Sequence, residues 1–238
     1  MVAPHQILLE NIKRGDILSL LLLSNIITCI CTFIGFIYGI LKFFKPKKAV
    51  YAQMITLSVG CMAFGRLYQV VRLLTIGDIL EHFQLGVFGV IGSLLFLFSA
   101  NYGVMDSLAD DRDKKYTKYR VIPLIAPLTV IAIYVYFFML TGYPLLVKAV
   151  SGVITVVTAA ASYYNLKHLI FPDVDFGVIN CLKEYNALAL VFEMLCIAEM
   201  IANSRGSEIG ALIIGVLMGI VLLVIVPTVE RGIKKWTT

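Results

Sequence analysis

Seven stretches of this chain are apolar for about twenty residues or more, the length an α-helix needs to cross a hydrocarbon layer about 30 Å thick. They occupy residues 17–43, 49–74, 79–104, 121–140, 145–166, 182–202 and 208–229. A bilayer core offers no water to peptide groups, so such runs fold as helices that close their backbone bonds internally. Composition agrees. Of 238 residues, 60% are apolar and 15% charged, against about 45–50% and about 25% in a soluble domain. The sequence therefore predicts an all-α integral membrane protein, a seven-transmembrane-helix bundle in which residues 1–238 form one polytopic domain. Its first partner is the lipid bilayer, and no nucleic acid is expected.

The breaks between runs carry turn chemistry: Lys45-Pro46, Gly77-Asp78, Gly142-Tyr143-Pro144, Phe171-Pro172-Asp173 and Ser204-Arg205-Gly206. Pro123 falls in the first turn of the fourth run, where it is tolerated, and Pro127 should bend that helix. Lys13 and Arg14 precede the first run as they would in a signal peptide. That run is about twice the length of a signal h-region and lacks a small-residue cleavage site, so it reads as a retained helix.

Lysine and arginine set the orientation, because positive loops stay in the cytoplasm. With the N-terminus outside, fourteen of them are cytoplasmic: Lys42, Lys45, Lys47, Lys48, Arg112, Lys114, Lys115, Lys118, Arg120, Lys167, Lys183, Arg231, Lys234 and Lys235. Five are outside, namely Lys13, Arg14, Arg72, Lys148 and Arg205. The bias puts the C-terminus in the cytoplasm and the protein in the plasma membrane.

Cysteines 29, 31, 61, 181 and 196 are odd in number and lie mostly inside apolar runs, so no disulfide framework is expected. Three scattered histidines do not suggest a metal site, and no cofactor is predicted. Gly35 and Gly39, Gly215 and Gly219, and the series Gly86, Gly89, Gly92 are small-residue stripes at helical spacing. Packing within the bundle is their expected use, with a homodimer face as the alternative.

Three charges lie inside runs: Arg66, Glu193 and Glu199. Each costs about 2.5–3.5 kcal/mol in a helix centre unless partnered. Arg66 and Glu199 each lie seventeen residues beyond the start of their runs. At about 1.5 Å per residue that is the same depth, near the outer interface, and it predicts an ion pair. Glu193 falls near the midplane. Gln69 and Arg72 continue the Arg66 face, while Asp78, Glu81, His82 and Lys148 begin neighbouring helices. Arg66, Gln69, His82, Lys148, Glu193 and Glu199 are accordingly the candidate ligand residues of an outward-facing cup. The competing interpretation is a structural pair ringed by solvated loop charges.

Asn101-Tyr102, Tyr163-Tyr164-Asn165 and Tyr185-Asn186 fall at the cytoplasmic ends of three runs, where capping asparagines and an aromatic belt explain them, with hydrogen bonds between helices at a switchable contact as the alternative for the asparagines. In the acidic loop, Asp110–Lys114 and Asp111–Lys115 read as i,i+4 pairs on a solvated helical extension. The spacing Asn101-x4-Asp106-x3-Asp110 resembles the aspartate-rich loop of membrane prenyltransferases, with Asp173 and Asp175 as a second site. That resemblance implies a Mg²⁺-dependent enzyme acting on a lipid diphosphate, though the spacing and helix count depart from the family. The leading expectation is a receptor-like sensor that binds a small extracytoplasmic ligand and signals through a cytoplasmic or membrane partner protein, since few residues follow the last run. An ion-coupled transporter using Glu193 comes second and the enzyme third.

Overall fold

The computed structural model of the protein describes residues 4–46, 49–75, 85–106, 110, 112–172 and 178–237, and among these the chain is all-helical. Helix α1 runs Pro4–Phe43 and α2 Val50–Thr75. Helix α3 is Val87–Ser99, prolonged by a π-helical turn at Ala100–Met105. The rod α4, Lys114–Met139, begins and ends irregularly. It opens with a 3₁₀ turn whose Asp113 side chain accepts from the Lys115 N–H, tightens again at Ile122–Leu124, and closes with a π-helical turn at Val135–Met139. The second tightening coincides with Pro123 and Pro127, which remove donors from the helical ladder. Helices α5 (Leu145–Ile170), α6 (Val178–Ser204) and α7 (Glu208–Thr237) complete the order.

The helices form a closed ring, α1–α2–α3–α5–α6–α7 and back to α1, with α4 packed outside it on α5. One core runs down the ring and contains Ile55, Met62, Leu97, Phe192, Met218 and Leu222. Val130 of α4 joins it from outside through Ala159 and Ile197. Polarity is inverted relative to a water-soluble protein. Arg66, Asn101, Asn165, Glu193 and Glu199 are buried, while Ile30, Phe64, Phe88, Leu128 and Ile209 are exposed. Buried polar groups and a continuous apolar exterior are what a bilayer selects. Among the described residues six helices are long and apolar enough to cross one: Leu20–Phe43, Val50–Thr75, Lys114–Met139, Leu145–Ile170, Leu182–Ser204 and Glu208–Lys235. The apolar part of α3, Val87–Tyr102, is shorter. This is a multi-pass helical membrane protein.

Predicted runs and observed helices differ most at their ends. Helix α4 begins at Lys114 rather than 121, α5 continues to Ile170 rather than 166, α6 starts at Val178 rather than 182, and α7 extends to Thr237. Hydropathy measures the stretch that suits hydrocarbon, whereas the backbone ladder continues through the polar residues beyond it. The turn predicted at Ser204-Arg205-Gly206 is present, with Gly206 at φ +65° and the Ser207 N–H returning to the Ala202 carbonyl at 2.9 Å. Only a residue without Cβ takes that conformation freely.

The small-residue stripes are used within the chain. Gly35 faces the Leu222 backbone, Gly39 lies on Thr56, and Gly215 and Gly219 receive Ser24 and Thr28 of α1. Backbone meets backbone most closely between α2 and α3, where a Cβ on Gly89 would stand 2.6 Å from the Gly65 Cα. Thr28 reinforces the α1–α7 seam by donating to the Gly215 carbonyl at 2.8 Å. Gly89→Ala is expected to destabilise the folded protein by about 1–3 kcal/mol, because backbone rather than a movable side chain fills the space. Gly142→Ala, which meets nothing within 4 Å, is the control. Thermal melts of both variants in one detergent check the difference.

Candidate functional site

Helix α6 carries Tyr185, Asn186, Glu193, Cys196 and Glu199, all buried. Their spacing keeps them on one inward stripe of a 3.6-residue helix. They meet groups from α2, the turn after α3 and α5, in layers that run along the bundle axis. The basic end is the one where α1 and α7 finish. There Glu230 accepts from the Tyr38 hydroxyl and pairs with Lys42 at 3.5 Å and Lys234 at 3.0 Å.

At the opposite end, Arg66 Nη2 lies 2.5 Å from Glu199 Oε2. Arg66 Nη1 donates to Asn25 Oδ1 at 3.1 Å, and Nη2 also contacts the Met218 sulfur at 3.8 Å. Asn25 is oriented in turn by donating to the Leu21 carbonyl at 2.9 Å. One guanidinium thus ties α1, α2, α6 and α7 together. The ion pair expected from matched depth is present.

About two turns along α6 toward the basic end lies a second layer. Asn165 of α5 donates to Glu193 Oε1 at 2.5 Å. Asn101, in the π-helical turn of α3, donates to Asn165 and, at 3.2 Å, to Asn186 of α6. These asparagines are 0–1% exposed and cap nothing, contrary to the capping expectation. The reason is the length of the helices: α5 and α6 run beyond their apolar parts, so Asn165 and Asn186 lie inside them rather than at their ends. Glu193 Oε2, Asn101 Oδ1, the Tyr185 hydroxyl and Arg66 Nε are buried with no hydrogen-bond partner.

Nearer the basic end is an ionic clasp. Lys167 of α5, 3% exposed, reaches Asp106 at 2.5 Å and Asp110 at 2.8 Å. Arg120 of α4 grips both oxygens of Asp110, with Nε at 2.7 Å from Oδ2. His168 Nε2 stands 3.3 Å from Asp106. The loop is shaped to present Asp110: Arg112 adopts φ 61°, and its N–H donates to Asp110 Oδ1 at 2.9 Å. Hydrogen bonds from Arg120 hold the Asp110 carboxyl well below the usual carboxylate range; burial opposes the shift, and Lys167 and the Arg112 N–H add to it. At Asp106 burial acts upward, but hydrogen bonds from His168 and Lys167 outweigh it and lower the carboxyl. The expected Asp110–Lys114 pairing is therefore replaced by a tertiary one, while Asp111, Asp173 and Asp175 lie outside the described residues. The two aspartates of the prenyltransferase-like spacing are already engaged by cationic side chains.

The six candidate ligand residues are thus distributed rather than gathered. Arg66 and Glu199 touch each other, and Glu193 sits in the asparagine layer. Gln69 packs against Gly86 between α2 and α3. Lys148 belongs to the α4–α5 hairpin, where its Nζ donates to the Met139 carbonyl at 3.3 Å and its own carbonyl accepts from Tyr134 at 2.8 Å. His82 lies outside the described residues. Sequence reasoning overlooked Lys167 as a buried cation and Tyr185 as a buried hydroxyl. Period-3.6 burial along α6 was the available signal for Tyr185, whereas Lys167 at a run's end carried none. The chain matches no known family model, curated protein or solved structure, so the site rests on its own chemistry.

Breaking one partner of a buried pair typically costs about 3–5 kcal/mol. Arg66→Met and Glu199→Gln are each expected to be costly, with the second substitution much cheaper once the first is present. The double-mutant cycle should give a coupling above about 1 kcal/mol; additive effects would contradict the pairing. In the clasp, Asp110→Asn should cost about 1–3 kcal/mol by leaving Lys167 and Arg120 underpartnered, and Asp113→Asn outside it much less. A carboxyl lowered by folding contributes stability above its unfolded value, about pH 3.9, and loses it as pH falls through the folded value. The Asp110 contribution should therefore persist from neutrality down to about pH 4 and vanish only in stronger acid. Melts of wild type and Asp110→Asn across that range test the sign.

Proposed function

We propose that this protein is a seven-helix receptor-like sensor of the plasma membrane, with its N-terminus outside and its C-terminus in the cytoplasm. In this reading α3 is the seventh span, and the basic end, with fourteen of the chain's twenty lysines and arginines against five opposite, faces the cytoplasm. The observation that carries it is the single buried stripe of α6. It links the Arg66–Glu199 pair to the Asn101–Asn165–Asn186 layer and onward to the basic end. A small extracytoplasmic ligand with an anionic group would compete with Glu199 for the Arg66 guanidinium. Released from that pair, α6 would repack against α3 and α5 and alter the basic face offered to a partner protein. Coupling of this kind needs an element whose equilibrium both ends bias.

A second reading, a cation-coupled transporter of small solutes, is favoured by one observation: the Glu193 carboxyl has an unpartnered oxygen and, among the described residues, no cationic side chain bonded to it. Ionisable groups inside a membrane often serve such pathways.

Two experiments decide. Reporters fused after Thr238 and in the loop around Lys45 are expected to be cytoplasmic, and a tag at Met1 accessible from outside intact cells; the opposite pattern would reverse the orientation. Purified protein screened with small organic anions should show a ligand that raises its melting temperature, lost in Arg66→Met, with no accumulation in proteoliposomes. Concentrative uptake of that ligand would replace the sensor reading with the transporter.

A further inference from the structure

We propose that Glu193, Asn101 and Tyr185 form a binding site for a small monovalent cation, with Na⁺ as the species their oxygens suit. The site does not depend on whether the bundle signals or transports. Its basis is how the asparagine layer uses its donors. Asn165 Nδ2 is committed to Glu193 Oε1, and Asn101 Nδ2 to both Asn165 Oδ1 and Asn186 Oδ1. Three oxygens of different chemistry are left over: the second carboxylate oxygen of Glu193, the amide oxygen of Asn101 and the phenol oxygen of Tyr185. The Tyr185 hydroxyl lies within hydrogen-bonding reach of the Asn101 side chain and in the field of the Glu193 carboxyl. All three residues are 0–1% exposed.

Hard cations are bound by such oxygen sets, carboxylate, amide carbonyl and hydroxyl together. A cation would also balance the local charge. Glu193 has no cationic neighbour to spare, because Arg66 is held by Glu199 and Asn25, and Lys167 by Asp106 and Asp110. A buried carboxylate without a counter-charge is strongly unfavourable. A single carboxylate matches a single positive charge, which selects a monovalent over a divalent ion. The cation would join the π-helical turn after α3, which carries Asn101, to α6, which carries Glu193 and Tyr185, and so favour one packing of that seam.

The test uses the full-length protein in detergent. Melting is followed as NaCl replaces choline chloride at constant ionic strength and pH. Stabilisation of the folded state by a ligand grows and saturates with its concentration. Wild type should gain several degrees with a defined Na⁺ midpoint, and Glu193→Gln should show no such gain. Tyr185→Phe, which removes one ligand oxygen while keeping the ring, should move the midpoint several-fold to higher Na⁺; it serves if Glu193→Gln does not fold. Identical wild-type melts in the two salts would overturn the site, leaving the carboxyl held as the neutral acid or solvated by water. An equal Na⁺ response in wild type and Tyr185→Phe would overturn it too, by showing that the ion binds elsewhere.

Discussion

The guanidinium of Arg66 contacts three side chains from three other helices: Glu199 of α6, Asn25 of α1 and Met218 of α7. In a medium without water, no other arrangement of these groups is tolerable. Arginine cannot shed its charge, and among the described residues Glu199 pairs with no other cation. Four helices of the ring, α1, α2, α6 and α7, are therefore tied at this level by charge, while glycines and hydroxyls tie seams elsewhere by proximity. Thr28 and Ser24 of α1 reach the Gly215 and Ala211 carbonyls of α7, contacts that small residues at the seam make possible.

Along α6 the polar groups change character. The Arg66–Glu199 layer is charge-matched, the Glu193–asparagine layer is neutral but for one carboxyl and is incompletely bonded, and the Lys167–Asp106–Asp110 clasp is again charge-matched. A layer with three unpartnered oxygens between two charge-matched ones concentrates the adaptable part of the structure in the middle. Buried polar networks are demanding in this sense: complete, they fix one packing, and incomplete, they call for a further partner. The π-helical turn at Ala100–Met105 belongs to this layer, since such turns often accompany function and this one carries Asn101 into the interior.

Sequence and structure part company where a residue's partner lies far along the chain. The depth argument brought Arg66 and Glu199 together because both positions could be measured from the edge of an apolar run. It failed for Asn101, Asn165 and Asn186, which sat at the edges of runs and therefore read as caps, although the helices continue beyond those edges. Asp110 was assigned to Lys114 four residues on. The structure instead turns it to Arg120 and to Lys167, which lies 57 residues away.

From the sequence alone come the all-helical membrane character, most of the helix positions, the turn at Gly206 and the pairing of two charges of equal depth. Each follows from a one-dimensional quantity, such as run length, local backbone chemistry or residues counted from an interface. Tertiary structure alone decides that α4 stands outside the ring, that the stripe glycines serve seams within the chain, and that Glu193 keeps company with asparagines rather than with Arg66. It alone also closes the acidic loop on Lys167. These depend on the rotation of each helix about its axis and on which helices are neighbours. Hydropathy does not record rotation where helices are apolar nearly all round, and close packing of side chains from distant parts of the chain determines both.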